Sequence, residues 1–158
     1  MELIDWLENA AISNLRSKHE NAELIMREAN TTLTIILSAT GVTIAYFANQ
    51  WGSDKGIASV ALLVSVYLVI CALFLVNKCL RFEDFPALYN EYNNLNQPSI
   101  KFEKLRHLEL ANIQIRSEEA DKMIHDRSIW LNKIRISIAV SPVFAAVVLA
   151  IQQTFFSY

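Results

Sequence analysis

Three long stretches of the chain carry no ionisable side chain, and this segregation of charge limits the fold more than any other feature. Residues 29–53, 56–77 and 136–158 contain no Asp, Glu, Lys, Arg or His, although the chain of 158 residues holds 14 basic and 16 acidic residues. A helix rises about 1.5 Å per residue, so a stretch of roughly 20 residues crosses the roughly 30 Å hydrocarbon core of a bilayer. We therefore predict an all-α integral membrane protein with long cytoplasmic helices and three transmembrane helices, near residues 31–50, 57–76 and 136–156.

Composition excludes several other classes of protein. Hydrophobic residues make up 53% of the chain and charged residues 19%, with three glycines, three prolines and two cysteines. These values exclude collagen-like, low-complexity and disulfide-rich chains, and they disfavour a simple soluble enzyme. Two alternatives stay open. One is a soluble bundle whose core helices are apolar on every side. The other is two spans preceded by an interfacial segment, because Thr, Ser and Gly41 dilute the first stretch.

Basic residues indicate the orientation, because Lys and Arg next to transmembrane helices are retained on the cytoplasmic side. Residues 1–28 hold three of them and residues 78–135 hold ten, whereas the connection after the first span holds only Lys55. This distribution predicts a multi-pass protein with a cytoplasmic amino terminus. Its parts are a cytoplasmic amino-terminal helix at residues 1–28, a transmembrane hairpin at 29–77, a cytoplasmic helical segment at 78–135 and a third transmembrane helix at 136–158.

Apolar side chains recur at helical spacing in both cytoplasmic parts. The first stripe comprises Ile4, Leu7, Ala11, Leu15, Ala22, Ile25 and Ala29. The second comprises Leu110, Ile113, Ala120, Ile124, Leu131 and Ile134, with Ser117 and Arg127 interrupting it. No Gly or Pro lies between Ser99 and Pro142, which predicts one helix that begins at a Ser99 N-cap, enters the membrane and kinks at Pro142. The segment from Phe82 to Ser99 is rich in turn residues, and we expect one short helix there, around Ala87 to Asn93.

Small and polar side chains form one continuous face of the first span. They recur every three or four residues and are Asn30, Thr34, Ser38, Gly41 and Ala45. Small residues allow two transmembrane backbones to approach closely, and hydroxyl and amide groups hydrogen-bond across such contacts. Two interpretations stay open: packing against the other two spans, or an interface between the subunits of a homo-oligomer, where the hydroxyl groups would line a pore.

Residue patterns that indicate catalysis or metal binding do not occur in the sequence. There is no phosphate-cradling glycine loop and no HExxH, GxSxG or paired CxxC motif, so we expect no enzyme activity, no metal site and no cofactor. Four basic side chains in the cytoplasmic segment have the chemistry to contact a ligand phosphate: Lys101, Lys104, Arg106 and Arg116. Glutamates are interspersed among them, so a solvated face of mixed charge is the alternative, and no nucleic-acid contact is evident.

The start of the first span resembles a known family. Residues 27–41 read REANTTLTIILSATG. This run is similar to the opening of the first span in small bacterial antiphage membrane effectors, the Pycsar transmembrane effectors and related two-transmembrane effectors. That opening is Ala-Asp-Thr-Lys-Ala followed by an apolar run ending in Asn-Gly. Ala29, Thr31 and Gly41 match the family, whereas Asn30, Thr32 and Thr40 replace its Asp, Lys and Asn. The order of helices, spans and cytoplasmic segment is also similar.

The resemblance implies an effector of antiviral defence that acts by abortive infection in the bacterial inner membrane. In such a system a cyclic nucleotide, or a soluble partner from the defence system, acts on the cytoplasmic helices, and the assembled spans then disrupt the lipid bilayer. Helices that continue into the spans suit this role, because a ligand shifts an assembly only through contacts that differ between its two states. The alternatives are a constitutive holin-like pore former or toxin, and a non-enzymatic membrane anchor for a soluble partner.

Overall fold

The computed structural model describes residues 3–53, 55–81, 85–90 and 98–156, and this part of the chain contains helices and no β-strand. Helix α1 comprises Leu3–Gln50 and helix α2 comprises Lys55–Leu75, which a π-helical turn, Val76–Leu80, extends. Helix α3 comprises Phe102–Phe156. All three helices are long and apolar enough to cross a bilayer. The predicted all-α class is thereby confirmed, as is the presence of three helices that could span a membrane.

The helix ends agree with the sequence pattern in some places and not in others. Helix α1 is unbroken to Gln50, where the first span is predicted to end. Helix α3 begins at Phe102, so the predicted N-cap at Ser99 is wrong. Pro98 and Ser99 lie in a turn, and the chain completes this turn before the helix starts. From there α3 continues through Pro142 to its end.

The short helix predicted around Ala87 is wrong for Ala87 to Asn90, which are irregular, while positions 91–93 lie outside the described residues. Carbonyl oxygens in this segment accept hydrogen bonds from side chains instead of forming a helical ladder. His19 Nε2 lies 2.9 Å from the Pro86 oxygen, and Arg116 Nη1 donates to the Ala87 oxygen at 2.9 Å. Side chains of neighbouring helices thus satisfy backbone acceptors that a helix would have satisfied internally.

The chain divides into two compact units. The polar unit comprises Met1–Ile25 and Phe82–Arg127, and the apolar unit comprises Met26–Arg81 and Ser128–Tyr158. Helices α1 and α3 each contribute one segment to the polar unit and another to the apolar unit. The boundaries between the units lie near, but not at, the borders predicted after residues 28, 77 and 135.

The core of the polar unit is small. Leu15 of α1 meets Ile113 and Ala120 of α3, and all three side chains are buried. Around them pack the partly buried Ala11, Ile12, Phe85 and Leu88. The two predicted apolar stripes therefore meet in this unit, and the irregular segment that carries Phe85 and Leu88 covers one side of them.

In the apolar unit, α2 and α3 run antiparallel, because later residues of α2 contact earlier residues of α3. The Tyr67 hydroxyl donates to the backbone oxygen of Ser137 at 2.9 Å. The ring of Phe74 stacks on that of Trp130, with the ring centroids 6.3 Å apart. Large apolar side chains point outward from all three helices, as at Val42, which is 70% exposed. An extended apolar outer surface is typical of a protein that contacts a membrane or another protein there.

Candidate functional site

The small polar face of α1, defined as Asn30, Thr34, Ser38, Gly41 and Ala45, lies on the outside of the apolar unit. All five residues are exposed. The buried side of the same segment carries Ala29, Thr32, Ile36 and Thr40. At 3.6 residues per turn the two sets occupy opposite sides of the helix. Packing within the chain thus uses the side opposite the small polar face.

Gly41 lies in the middle of this face, and the space that a side chain would occupy there is empty. A Cβ atom built on Gly41 meets no heavy atom within 4 Å apart from its own neighbourhood in the helix. Close packing against α2 or α3 therefore does not explain a glycine here. A helix interior ordinarily disfavours glycine by about 1 kcal/mol relative to alanine.

Hydroxyl groups along this part of α1 are largely satisfied by their own helix. Five threonines donate to backbone oxygens three or four residues earlier: Thr31, Thr32, Thr34, Thr40 and Thr43. The side chains of Asn30 and Ser38 are different, because neither makes a hydrogen bond within the described part of the chain. These two groups are the polar side chains of the face that still need partners when water is removed.

Polar contacts inside the apolar unit join α1 to the other two helices. The hydroxyl of Ser65, itself buried, lies 2.8 Å from Thr43 Oγ1. Arg135 of α3 donates to Glu28 Oε2 at 2.9 Å and to the buried Thr32 Oγ1 at 3.3 Å. Glu28 of α1 and Arg135 of α3 thus form an ion pair directly before the charge-free stretches of their helices.

The four candidate phosphate contacts are placed in different surroundings. Lys101 and Lys104 are exposed near the start of α3. Arg106 reaches α1, where its Nη2 lies 2.6 Å from both Asp5 Oδ1 and Glu8 Oε2. The hydrogen bond to Glu8, and then that to Asp5, raises the pKa of the Arg106 guanidinium above its already high ordinary value. Arg106 is therefore a fixed charge that joins the two helices of the polar unit.

Arg116 also forms an ion pair with a carboxylate. Its Nη2 lies 2.5 Å from Glu109 Oε1, and the other oxygen of Glu109 accepts from the Asn90 amide at 2.9 Å. A ligand phosphate would have to compete with carboxylates at both arginines. A phosphate site at these four residues stays a prediction.

An open groove of about 600 Å³ lies between α1 and α3 within the polar unit. Its lining comprises Trp6, Leu7, Ala10, Ala11, Asn14, Lys18, Leu110, Ile113, Gln114, Ser117, Glu118 and Asp121. The Lys18 ammonium donates to Ser117 Oγ at 2.6 Å and to Asp121 Oδ2 at 2.5 Å. With Glu118 added, the charged side chains of the groove are net acidic, so the groove does not suit an anionic ligand.

Sequence reasoning did not identify Lys18 or this groove. The available signal was Ser117, a polar residue in the middle of an apolar seam, which is buried and needs a hydrogen-bond partner. That partner, Lys18, is 99 residues away in sequence. Local periodicity carries no information about such a pairing.

Comparison with known proteins finds no relative: no family model, no curated protein and no solved structure matches this chain. The likeness noted at residues 27–41 is one of a short motif and of helix order. Interpretation of function therefore depends on the small polar face and on the polar unit.

Proposed function

We propose that this chain is a multi-pass membrane effector of bacterial antiphage defence, which self-associates through the small polar face of α1 and makes the inner membrane permeable. The three long apolar helices support a location in the membrane. The excess of Lys and Arg in residues 1–28 and 78–135 supports a cytoplasmic amino terminus. The proposed action is assembly rather than catalysis.

The exposure of the small polar face carries the proposal. The Ser38 hydroxyl within the span and the Asn30 amide at its start have no hydrogen-bond partner among the described residues, which favours any neighbour that can supply one. A second copy of α1 presents the same groups, and hydrogen bonds between membrane helices contribute roughly 0.6–2 kcal/mol each. Gly41 and Ala45 allow the two backbones to approach closely enough for such bonds to form.

Self-association of this face leads to a leak. When several copies pack around one axis, the oxygens of Thr34 and Ser38 face the centre. Thr34 Oγ1 donates its hydrogen to the backbone oxygen of Asn30, but the hydroxyl oxygen can still accept hydrogen bonds from water. The centre of the assembly can therefore hold water, whereas the outer apolar side chains stay in lipid.

The defence role rests on the resemblance at residues 27–41 and on the order of helices. The trigger acts on the polar unit and is a cyclic nucleotide or a soluble protein of the defence system. Because Arg106 and Arg116 already bind carboxylates, the geometry is more compatible with a protein partner. The open groove between α1 and α3 also supports the second candidate function, a membrane anchor whose polar unit holds a soluble partner.

Gly41→Leu tests self-association directly. The added side chain enters open space in the single chain, so the fold is retained, but it blocks close approach of a second α1. We expect the full-length variant, overproduced in a bacterial host, to insert in the membrane fraction, to lose chemical cross-linking into oligomers and to lose depolarisation of a voltage-sensitive dye. Overproduction favours assembly, because self-association is driven by concentration.

Val42→Phe is the matched control. It adds the same number of carbon atoms at the next residue, which is 70% exposed and lies outside the small polar face. This variant should cross-link and depolarise like the wild type. If Gly41→Leu also behaves like the wild type, the face is a lipid-facing surface and the proposal fails; if the wild type never depolarises the host, the anchor function is favoured.

A further inference from the structure

Two lysines of the apolar unit share one aromatic ring. The ammonium of Lys78, in the π-helical turn after α2, lies 5.4 Å from the centroid of the Trp130 ring, and that of Lys133 lies 4.9 Å from it. Both lysines are exposed and Trp130 is half-buried. The two ammonium groups therefore lie no further apart than the sum of these distances.

The two lysines differ from the neighbouring Arg135, which is paired with Glu28. Among the described residues, no carboxylate forms an ion pair with Lys78 or Lys133. A cation–π contact attracts each ammonium to the ring but does not cancel its charge. Two positive charges held on one ring repel each other, so an anion placed between them is favoured.

Lys78 and Lys133 lie at the ends of apolar stretches, where a membrane helix meets the lipid headgroups. Lys78 directly follows the charge-free stretch at residues 56–77, and Lys133 closely precedes the one at residues 136–158. Because α2 and α3 are antiparallel, both lysines lie at the same end of the apolar helices. Tryptophan is enriched at this level of a membrane protein, where its ring contacts both headgroups and hydrocarbon.

Apolar side chains continue from the lysines along the same helices. Phe74 is stacked on Trp130 and remains 48% exposed, and Leu73 and Ile136 are 65% and 64% exposed. A lipid whose phosphate lies between the lysines can thus lay its acyl chains along these residues. A free phosphate ion would gain nothing from them. Basic pockets between membrane helices on the cytoplasmic side recurrently hold anionic headgroups.

The geometry points to a binding site for the headgroup of an anionic phospholipid, formed by Lys78 and Lys133 on the Trp130 ring. The phosphodiester accepts hydrogen bonds from both ammonium groups, and Phe74 and Leu73 contact the acyl chains. The site rests on the membrane location proposed above, but not on self-association or on leakage.

Fluorescence of Trp130 measures occupancy of the site in the full-length protein. Trp6 and Trp51 are exposed and are replaced by Phe, which leaves Trp130 as the single tryptophan. The protein is reconstituted in vesicles of phosphatidylcholine with a minor fraction of phosphatidylglycerol. Bromine atoms, which quench tryptophan on contact, are carried either by the phosphatidylglycerol or by an equal amount of the phosphatidylcholine. The surface charge of the vesicle is thereby the same in both arms.

We expect brominated phosphatidylglycerol to quench Trp130 several-fold more than brominated phosphatidylcholine. In Lys78→Gln/Lys133→Gln this preference should be lost, so that both lipids quench equally. The control Arg16→Gln/Lys122→Gln removes the same charge from two exposed positions of the polar unit that form no ion pair with any described residue, and it should keep the preference.

The outcomes separate this site from the membrane location. Quenching by neither lipid would mean that the chain is not inserted, which overturns both proposals. Equal quenching of the wild type by both lipids would show insertion without a headgroup site and overturns only the present one. Loss of the preference on addition of inorganic phosphate would identify a general anion site and would equally overturn the assignment to lipid.

Discussion

Leu15→Ala should loosen the polar unit without changing the membrane helices. Leu15 is fully buried and packs on Ile113 and Ala120, beneath Phe85 and Leu88. It belongs entirely to the polar unit, so the substitution leaves the small polar face and all three apolar stretches unchanged. If the polar unit controls the membrane helices, this change should uncouple the two.

The size of the effect follows from the burial of Leu15. Removing three buried carbon atoms costs roughly 2.5 kcal/mol in transfer free energy, and a residual cavity brings Leu→Ala substitutions to about 3–5 kcal/mol. Phe85 and Leu88 lie on an irregular segment that can move toward the cavity, which favours the lower value. A unit of about 70 residues has only about 4–10 kcal/mol of stability, so the loss is a large fraction of the total.

Amide hydrogen exchange of the full-length protein in detergent measures this loss. A change of about 3 kcal/mol accelerates exchange that requires opening of the unit by about a hundredfold. We expect that acceleration in the polar unit alone, together with weaker depolarisation in the host. The control is Leu24→Ala, the same substitution on the same helix at a side chain that is 52% exposed, where the cost is at most about 0.5 kcal/mol.

Two results would refute the reasoning. If Leu15→Ala exchanges like Leu24→Ala, then Leu15 does not hold the polar unit together. If the polar unit exchanges faster but the host depolarises as it does with the wild type, the membrane helices leak without instruction from it. The second result would favour the holin-like pore former.

Two further predictions concern orientation and coupling. Reporter fusions at Ser53 and Tyr158 should be active outside the cytoplasm, and a fusion at Asn94 should be active inside it. Thirteen basic residues lie in the segments assigned to the cytoplasm and one lies outside them. An Asn94 fusion that is active only outside would reverse the topology. Ser128→Pro should leave the cores of both units intact but interrupt α3 at an exposed position, at a cost of about 3 kcal/mol or more, and should abolish depolarisation while membrane insertion persists. Wild-type depolarisation in this variant would show that continuity of α3 is not needed.

Helical periodicity was sufficient to predict the three long helices and much of the buried side of α3. Ile113, Ala120, Leu131 and Ile134 are buried as the spacing indicates, and the two polar residues that interrupt the seam, Ser117 and Arg127, are buried with them. The spacing of apolar residues indicates which side of a helix is apolar, because it depends only on the local sequence. It does not indicate which other element packs against that side.

The candidate site was predictable only as a pattern. The sequence places Asn30, Ser38 and Gly41 on one face, but its exposure depends on where α2 and α3 pack, which only three-dimensional contacts establish. The ion pairs of Arg106 were missed for a similar reason. Its partners Asp5 and Glu8 are about a hundred residues away, so local charge patterning indicated only a mixed solvated face.

The threonines that bond to their own helix make α1 tolerant of two surroundings. Each of these hydroxyl groups donates its hydrogen to a carbonyl oxygen of the same helix and so needs no acceptor from its surroundings. The helix can therefore face lipid in a single copy and water in an assembly without changing its backbone. Under the proposed function, the barrier to leakage would then lie in the lateral encounter of copies, whose rate depends on diffusion and surface density, rather than in refolding of the helix.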